Sequence, residues 1–125
     1  MEIQANELRI GNWVKYGDLN VKSFSVDGLY NIITDIENYK PIPLTEEWLL
    51  RLGFDKYKDT NNFKIKSNKY FSLTEEKQGY LKIGISNNKW NIINFGNKSI
   101  FIKHVHQLQN LYFALTGKEL IYKTT

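Results

Sequence analysis

Residues 103–120 read KHVHQLQNLYFALTGKEL, the longest stretch of the chain with a helical period. At about 100° per residue, Val105, Leu108, Leu111, Tyr112 and Leu115 share one third of a helical circumference. That stripe predicts a core-facing helix, with Gln107, Asn110 and Ala114 turned away from it. Thr116-Gly117 is the expected stop, because glycine takes the left-handed conformation that helix ends often need. Everything upstream reads mostly as short strands. The fold class expected is therefore α+β, with this helix lying on an antiparallel sheet and closing its core.

Working back toward the N-terminus, strand-like runs fill the region before the helix. They cover Phe63 to Lys66, Lys69 to Leu73, Tyr80 to Ser86, Lys89 to Phe95 and Lys98 to Ile102, and are punctuated by turn residues such as Asn87-Asn88. Leu81, Ile83 and Ile85 alternate with Lys82 and Gly84, as a half-buried strand requires. A meander of four or five strands follows, and Leu120 to Tyr122 could add a last edge strand. Between Thr45 and Gly53 the sequence predicts a short helix. Thr45 is its N-cap, Glu46 and Glu47 complement the helix dipole, Leu44 and Leu49 form a hydrophobic staple, and Trp48, Leu49 and Leu52 make its apolar face.

The first 40 residues read as a small antiparallel, SH3-like meander. Its strands are Ile10 to Tyr16, Leu19 to Val26 and Leu29 to Ile36, with turns at Gly17-Asp18 and Asp27-Gly28. Glu37 to Leu44, carrying Pro41 and Pro43, reads as an extended connector. The chain is thus one domain, divisible into lobes at 1–40 and 41–125, with the central helix packed between them.

The composition bounds the function. A chain of 125 residues that is 42% apolar can bury a core without staples, and it has no cysteine for disulfides or thiolate zinc sites. No apolar run is long enough to span a bilayer, and the N-terminus lacks a signal-peptide pattern, so a cytoplasmic protein with no membrane partner is expected. The net charge of +4 hides an asymmetry: residues 1–50 hold 4 basic and 8 acidic side chains, residues 51–125 hold 13 and 5. The basic part suits nucleic acid or an acidic protein surface. The same lysines also fit an AT-rich coding bias, since 15 of the 17 basic residues are lysine and Asn and Ile each occur 14 times.

No catalytic pattern stands out. P-loop, G-x-S-x-G, H-E-x-x-H and dinucleotide glycine motifs are absent, the pairs Glu46-Glu47 and Glu75-Glu76 read as dipole complement and solvated turn, and no cofactor is implied. His104 and His106, two apart on a helix, diverge by about 200° and so do not chelate one metal. Two candidate binding surfaces remain. Lys56, Lys58, Lys64, Lys66 and Lys69 interleave with Tyr57, Phe63, Tyr70 and Phe71, which would give either a phosphate-binding patch with stacking aromatics or a solvated strand face over core residues Phe63 and Ile65. His106, Asn110 and Phe113 recur at i, i+4, i+7 on a flank of the C-terminal helix, where Phe113 is either second-layer core or a partner anchor. Trp13 and Trp90 pose the same choice between core and anchor.

LRIGNWV at 8–14, PIPLTEEWLLRLGF at 41–54 and VHQLQNLYFALTGKEL at 105–120 together resemble a family of small phage and prophage proteins of Bacteroidetes bacteria. The resemblance brings no active-site residue with it. It implies a phage-encoded accessory protein in a bacterial cytoplasm, and such motif-poor proteins commonly act by binding. The expected function is therefore a non-enzymatic inhibitor of a bacterial defence system, of the anti-CRISPR type, whose partner is a nuclease or its guide-RNA ribonucleoprotein. Two alternatives stand beside it: an accessory factor of phage replication or transcription that binds RNA or DNA, and a virion structural or assembly component. The oligomeric state is open.

Overall fold

The computed structural model describes residues 3–22, 25–58, 60–66, 80–93 and 100–123. Among these residues it holds two antiparallel sheets and three α-helices, an α+β architecture. In chain order the elements are β1 (Trp13–Tyr16), β2 (Leu19–Lys22), α1 (Val26–Thr34), β3 (Tyr39–Lys40), α2 (Glu46–Arg51), β4 (Asp55–Lys56), β5 (Asn62–Lys66), β6 (Tyr80–Ser86), β7 (Lys89–Ile92), β8 (Ile100–Ile102) and α3 (Val105–Thr116).

The larger sheet is a continuous meander, β4-β5-β6-β7-β8. Its β6–β7 hairpin turns on Asn87 and Asn88, both at positive φ (53° and 62°), the backbone that matches a tight turn to the twist of its strands. Leu81 and Ile83 are fully buried on one face, as their alternation predicts. They meet Leu49, Leu52, Val105, Leu108 and Tyr112 from α2 and α3 in one core. The expected strand Lys69 to Leu73 lies outside the described residues. Leu120 to Tyr122 does not join the sheet. Leu120 is buried, but the segment crosses back to α2, where the Lys123 N–H donates to the Arg51 carbonyl at 2.7 Å, and β4 occupies that sheet edge instead.

The smaller sheet has the order β2-β1-β3. It differs from the sequence reading in one element. Residues 29–36 do not form its third strand: 26–34 are helical, and Asp27-Gly28 lie in the first helical turn rather than in a hairpin. Ser25 caps that helix by accepting from the Gly28 N–H at 3.1 Å, and Leu29, Ile32 and Ile33, with Ile36 beyond, present one apolar side at helical spacing, with Ile32 buried. The β-branched isoleucines favour strands only weakly, and the cap and period override them. The third strand is Tyr39–Lys40, inside the stretch read as connector, and it pairs antiparallel with Lys15 and Tyr16.

Helix α2 forms as its sequence dictates. Thr45 accepts from the Trp48 N–H at 3.2 Å, and Leu44 and Leu49 on either side of the cap are both buried in the main core. Trp48 reaches from α2 to Trp13 of β1, ring centroids 5.7 Å apart, and Tyr122 packs against both. This aromatic trio joins the smaller sheet to α2 and so to the main core. Among the described residues no helix is long and apolar enough to cross a membrane.

Helix α3 is rotated relative to its leucine stripe. Val105, Leu108 and Tyr112 are buried, but so are His106, Gln109 and Thr116, while Leu111 and Leu115 are only partly covered. The reason is residues 7–13, which lie across the other flank and make polar contacts there. Gly117 ends the helix at φ 73°, the left-handed cap read from the sequence.

Candidate partner-docking groove

Two places on the molecule bring chemically distinctive side chains together. The first is the seam between residues 7–13 and α3. Gln109, 1% exposed, accepts from the Trp13 N–H at 2.9 Å and donates to the Gly11 carbonyl at 2.8 Å. Gly11 sits at φ 97°, which turns that carbonyl toward the helix and which a residue with a Cβ rarely adopts. Asn12 donates to Asn110 Oδ1 at 2.8 Å, Asn110 donates to the Glu7 carbonyl at 2.8 Å, and Arg9 reaches Asn110, the carboxylate of Glu119 and the ring of Phe113. His106 Nε2 lies 3.2 Å from Glu7 Oε1.

Of the flank His106, Asn110 and Phe113, the first two are therefore covered, whereas Phe113 stays 39% exposed. His106 is 1% exposed, Asn110 is part-buried in the seam, and Phe113 has the Arg9 guanidinium 4.3 Å from its ring centre. What reads as an exposed face of an isolated helix is the footprint of the chain's own N-terminal segment. Asn110 faces partners rather than solvent for the same reason.

The two histidines also differ from their helical reading. His104 is the N-cap, with extended backbone (φ −131°, ψ 154°), so the 200° divergence does not apply, and the rings stack 5.8 Å apart. Burial and then the neighbouring His106 push the His104 pKa below 6.5. The Glu7 carboxyl is held below 4.5, chiefly by a backbone hydrogen bond from Gln4 and then by His106. No group of three His, Cys, Asp or Glu side chains able to hold a metal occurs among the described residues.

The lysine cluster of β4 and β5 is partly neutralised. Lys56 pairs with Glu46 at 3.0 Å, and Asp55 stands opposite Lys64 in the strand register, with Lys82 opposite on the other side. Lys64 lies over the ring of Tyr57 at 5.0 Å, and Lys58 is exposed. Lys56, Tyr57 and Lys58 share a polar depression with Thr60 and Asn61. Lys66 is described as backbone alone, and Lys69 and Tyr70 lie outside the described residues. Phe63, by contrast, is fully buried core, as alternation requires.

The second place is a groove of about 950 Å³ where the end of the larger sheet meets the chain entering α2. Trp90, Ile85 and Ile102 line it from the strands, Leu44 and the two prolines from the connector. Trp90 is fixed there, because its indole N–H donates to the Leu44 carbonyl at 2.9 Å and its ring packs edge-on against Phe63 at 5.7 Å. Phe101 is 55% exposed at the mouth. Lys40, Lys89 and Lys103 ring the opening; among the described residues none of them is in an ion pair and no acidic side chain lines the groove. Apart from Trp90, flagged only as an ambiguous aromatic, the sequence reading passed over this groove. Its walls come from residues far apart in the chain, and no local motif announces it.

No protein-family profile, curated protein or solved structure matches this chain.

Proposed function

We propose that this protein works by docking on a macromolecular partner, as a phage- or prophage-encoded inhibitor of a bacterial defence system of the anti-CRISPR type. The observation that carries the docking part is the preformed groove, an apolar floor locked in place by the Trp90 to Leu44 hydrogen bond and ringed by Lys40, Lys89 and Lys103. A floor fixed before binding loses little conformational entropy when a partner arrives. The anti-defence part rests on the phage-family resemblance of the three motifs, which meet in the fold. Arg9 of the first binds Glu119 of the third, the Val105 N–H of the third donates to the Ile42 carbonyl of the second, and Trp48 of the second packs on Trp13 of the first.

The test is a plating assay on a CRISPR-immune Bacteroidetes host. Expressing the protein should restore plating of a targeted phage, and a Lys89→Glu/Lys103→Glu variant that still folds should not restore it. Unchanged immunity with the wild-type protein present at detectable levels overturns the reading.

A second reading, a nucleic-acid-binding accessory factor, is favoured by the Lys56, Tyr57, Lys58 depression and by Lys64 over Tyr57. It requires RNA or DNA affinity that falls steeply with salt and is lost on Lys58→Glu/Lys64→Glu. Affinity that does not respond to salt removes it.

A further inference from the structure

Among the described residues the groove ends on an open strand edge, and that edge indicates what would fill it. In the larger sheet the Ile93 N–H donates to the Lys82 carbonyl at 3.0 Å, so the odd-numbered residues of β7 bond toward β6 and the even-numbered ones toward β8. Trp90 pairs with Ile102 and Ile92 with Ile100, which leaves the main-chain groups of Phe101 and Lys103 directed away from the sheet. At Lys103 this outer edge is covered: its carbonyl accepts from the Leu44 N–H at 3.0 Å, and Pro43 bridges His104. The connector then turns into α2 at Thr45 and leaves the edge. Phe101 is the next outward-facing position, and beside it lies the groove with its lysine rim.

We propose that the groove binds an extended, acidic segment of a partner protein, which adds to the edge of β8 at Phe101. An extended peptide alternates its side chains with a period of two, so apolar residues would enter the floor between Leu44 and Trp90 while the carboxylates between them meet the lysine rim. The match of charge is direct, since the rim carries three lysines and, among the described residues, no carboxylate lines the groove. A main-chain ligand is favoured over single-stranded nucleic acid on two grounds. The main-chain groups at Phe101, which no described residue covers, are those of a strand, which peptide amides satisfy and nucleotides do not. Trp90 is already held edge-on by Phe63 and tied to Leu44, His104 is already stacked on His106, and the floor between them is made by Leu44, Ile85, Ile102 and the two prolines, a surface for leucine or isoleucine that leaves Phe101 at the mouth as the one ring open to a base. This inference rests on the docking reading above and specifies the chemistry of the docked segment.

The test uses the full chain and fluorescence anisotropy with four labelled probes: a short peptide of alternating Glu and Leu, the same peptide with Lys for Glu, a copy of the Glu-Leu peptide with alternate main-chain nitrogens methylated, and an oligo-dT strand. The Glu-Leu peptide should bind about tenfold or more tightly than the Lys-Leu peptide. It should weaken by a similar factor on methylation in one of the two possible registers, and by about tenfold in Lys89→Glu/Lys103→Glu. Phe101→Ser, an exposed change that leaves the core untouched, gives a second variant, and circular dichroism checks that both keep the wild-type fold. Equal affinity for the Glu-Leu and Lys-Leu peptides, indifference to both variants, or oligo-dT binding that the groove variants abolish would each overturn the proposal. Restored phage plating with no peptide binding would refute this inference and leave the docking function standing. Peptide binding with no plating effect would do the reverse.

Discussion

The two sheets are stabilised by different means. Among the described residues fifteen buried apolar residues from the larger sheet, α2, α3 and the adjoining loops form one core, whereas Ile3, Val14 and Ile32 are the only buried apolar side chains in the cluster beneath the smaller sheet. Three such side chains bury too little apolar surface to hold a sheet and a helix in place alone. The smaller sheet is instead fastened to α3 through Gln109, Asn110, Asn12 and Arg9, and through the ring of Trp13 on Trp48. The larger sheet depends on packing and the smaller one on directional hydrogen bonds, so each should respond to a different kind of substitution.

The largest effect is expected in the larger core. Leu108→Ala removes a fully buried side chain and should cost about 3–4 kcal/mol, seen as a lower denaturation midpoint with an unchanged slope. A loss below about 1 kcal/mol would mean that α3 is not the element that closes this core.

Gln109→Ala should separate the two regions. It removes the hydrogen bonds that the Gln109 side chain makes with the Trp13 N–H and the Gly11 carbonyl, a cost of about 2–3 kcal/mol. Hydrogen exchange should accelerate at residues 13–22 while residues 81–92 keep their protection. Uniform acceleration would show that the regions unfold as one unit. Arg9→Ala tests the outer rim of the same seam and should cost about 1 kcal/mol, because its partner Glu119 is partly solvated.

The smallest effect is on acid stability. His104 titrates below 6.5 and Glu7 below 4.5 in the folded chain, so in each case the unfolded chain binds protons first as pH falls. The stability that both contribute is present above their unfolded values and is lost as pH falls through the folded ones. Melting temperature should therefore decline in two steps below neutrality, the first below pH 6.5 from His104 and the second below pH 4.5 from Glu7. His104→Asn should flatten the first step, and a wild-type melting temperature that rises on acidification would contradict both assignments.

The sequence by itself determined the elements whose signals are local. The period of 105–116, the Thr45 cap with Leu44 and Leu49, the alternation of Leu81 and Ile83, and the Asn87-Asn88 turn each act within a few residues, and each element is present in the structure. Helix α1 was equally local, written in Ser25 and the Leu29, Ile32, Ile33 spacing, but it was hidden by isoleucines that also suit a strand. Only the tertiary structure decided which flank of α3 is covered, because Gln109, Asn110 and His106 find partners about a hundred residues earlier. It alone assembled the groove as well, by bringing Leu44, Trp90 and Phe101 together. A helical period reports where apolar groups point. It carries no information about which distant donors and acceptors will meet the polar ones, because those contacts depend on how the chain closes on itself.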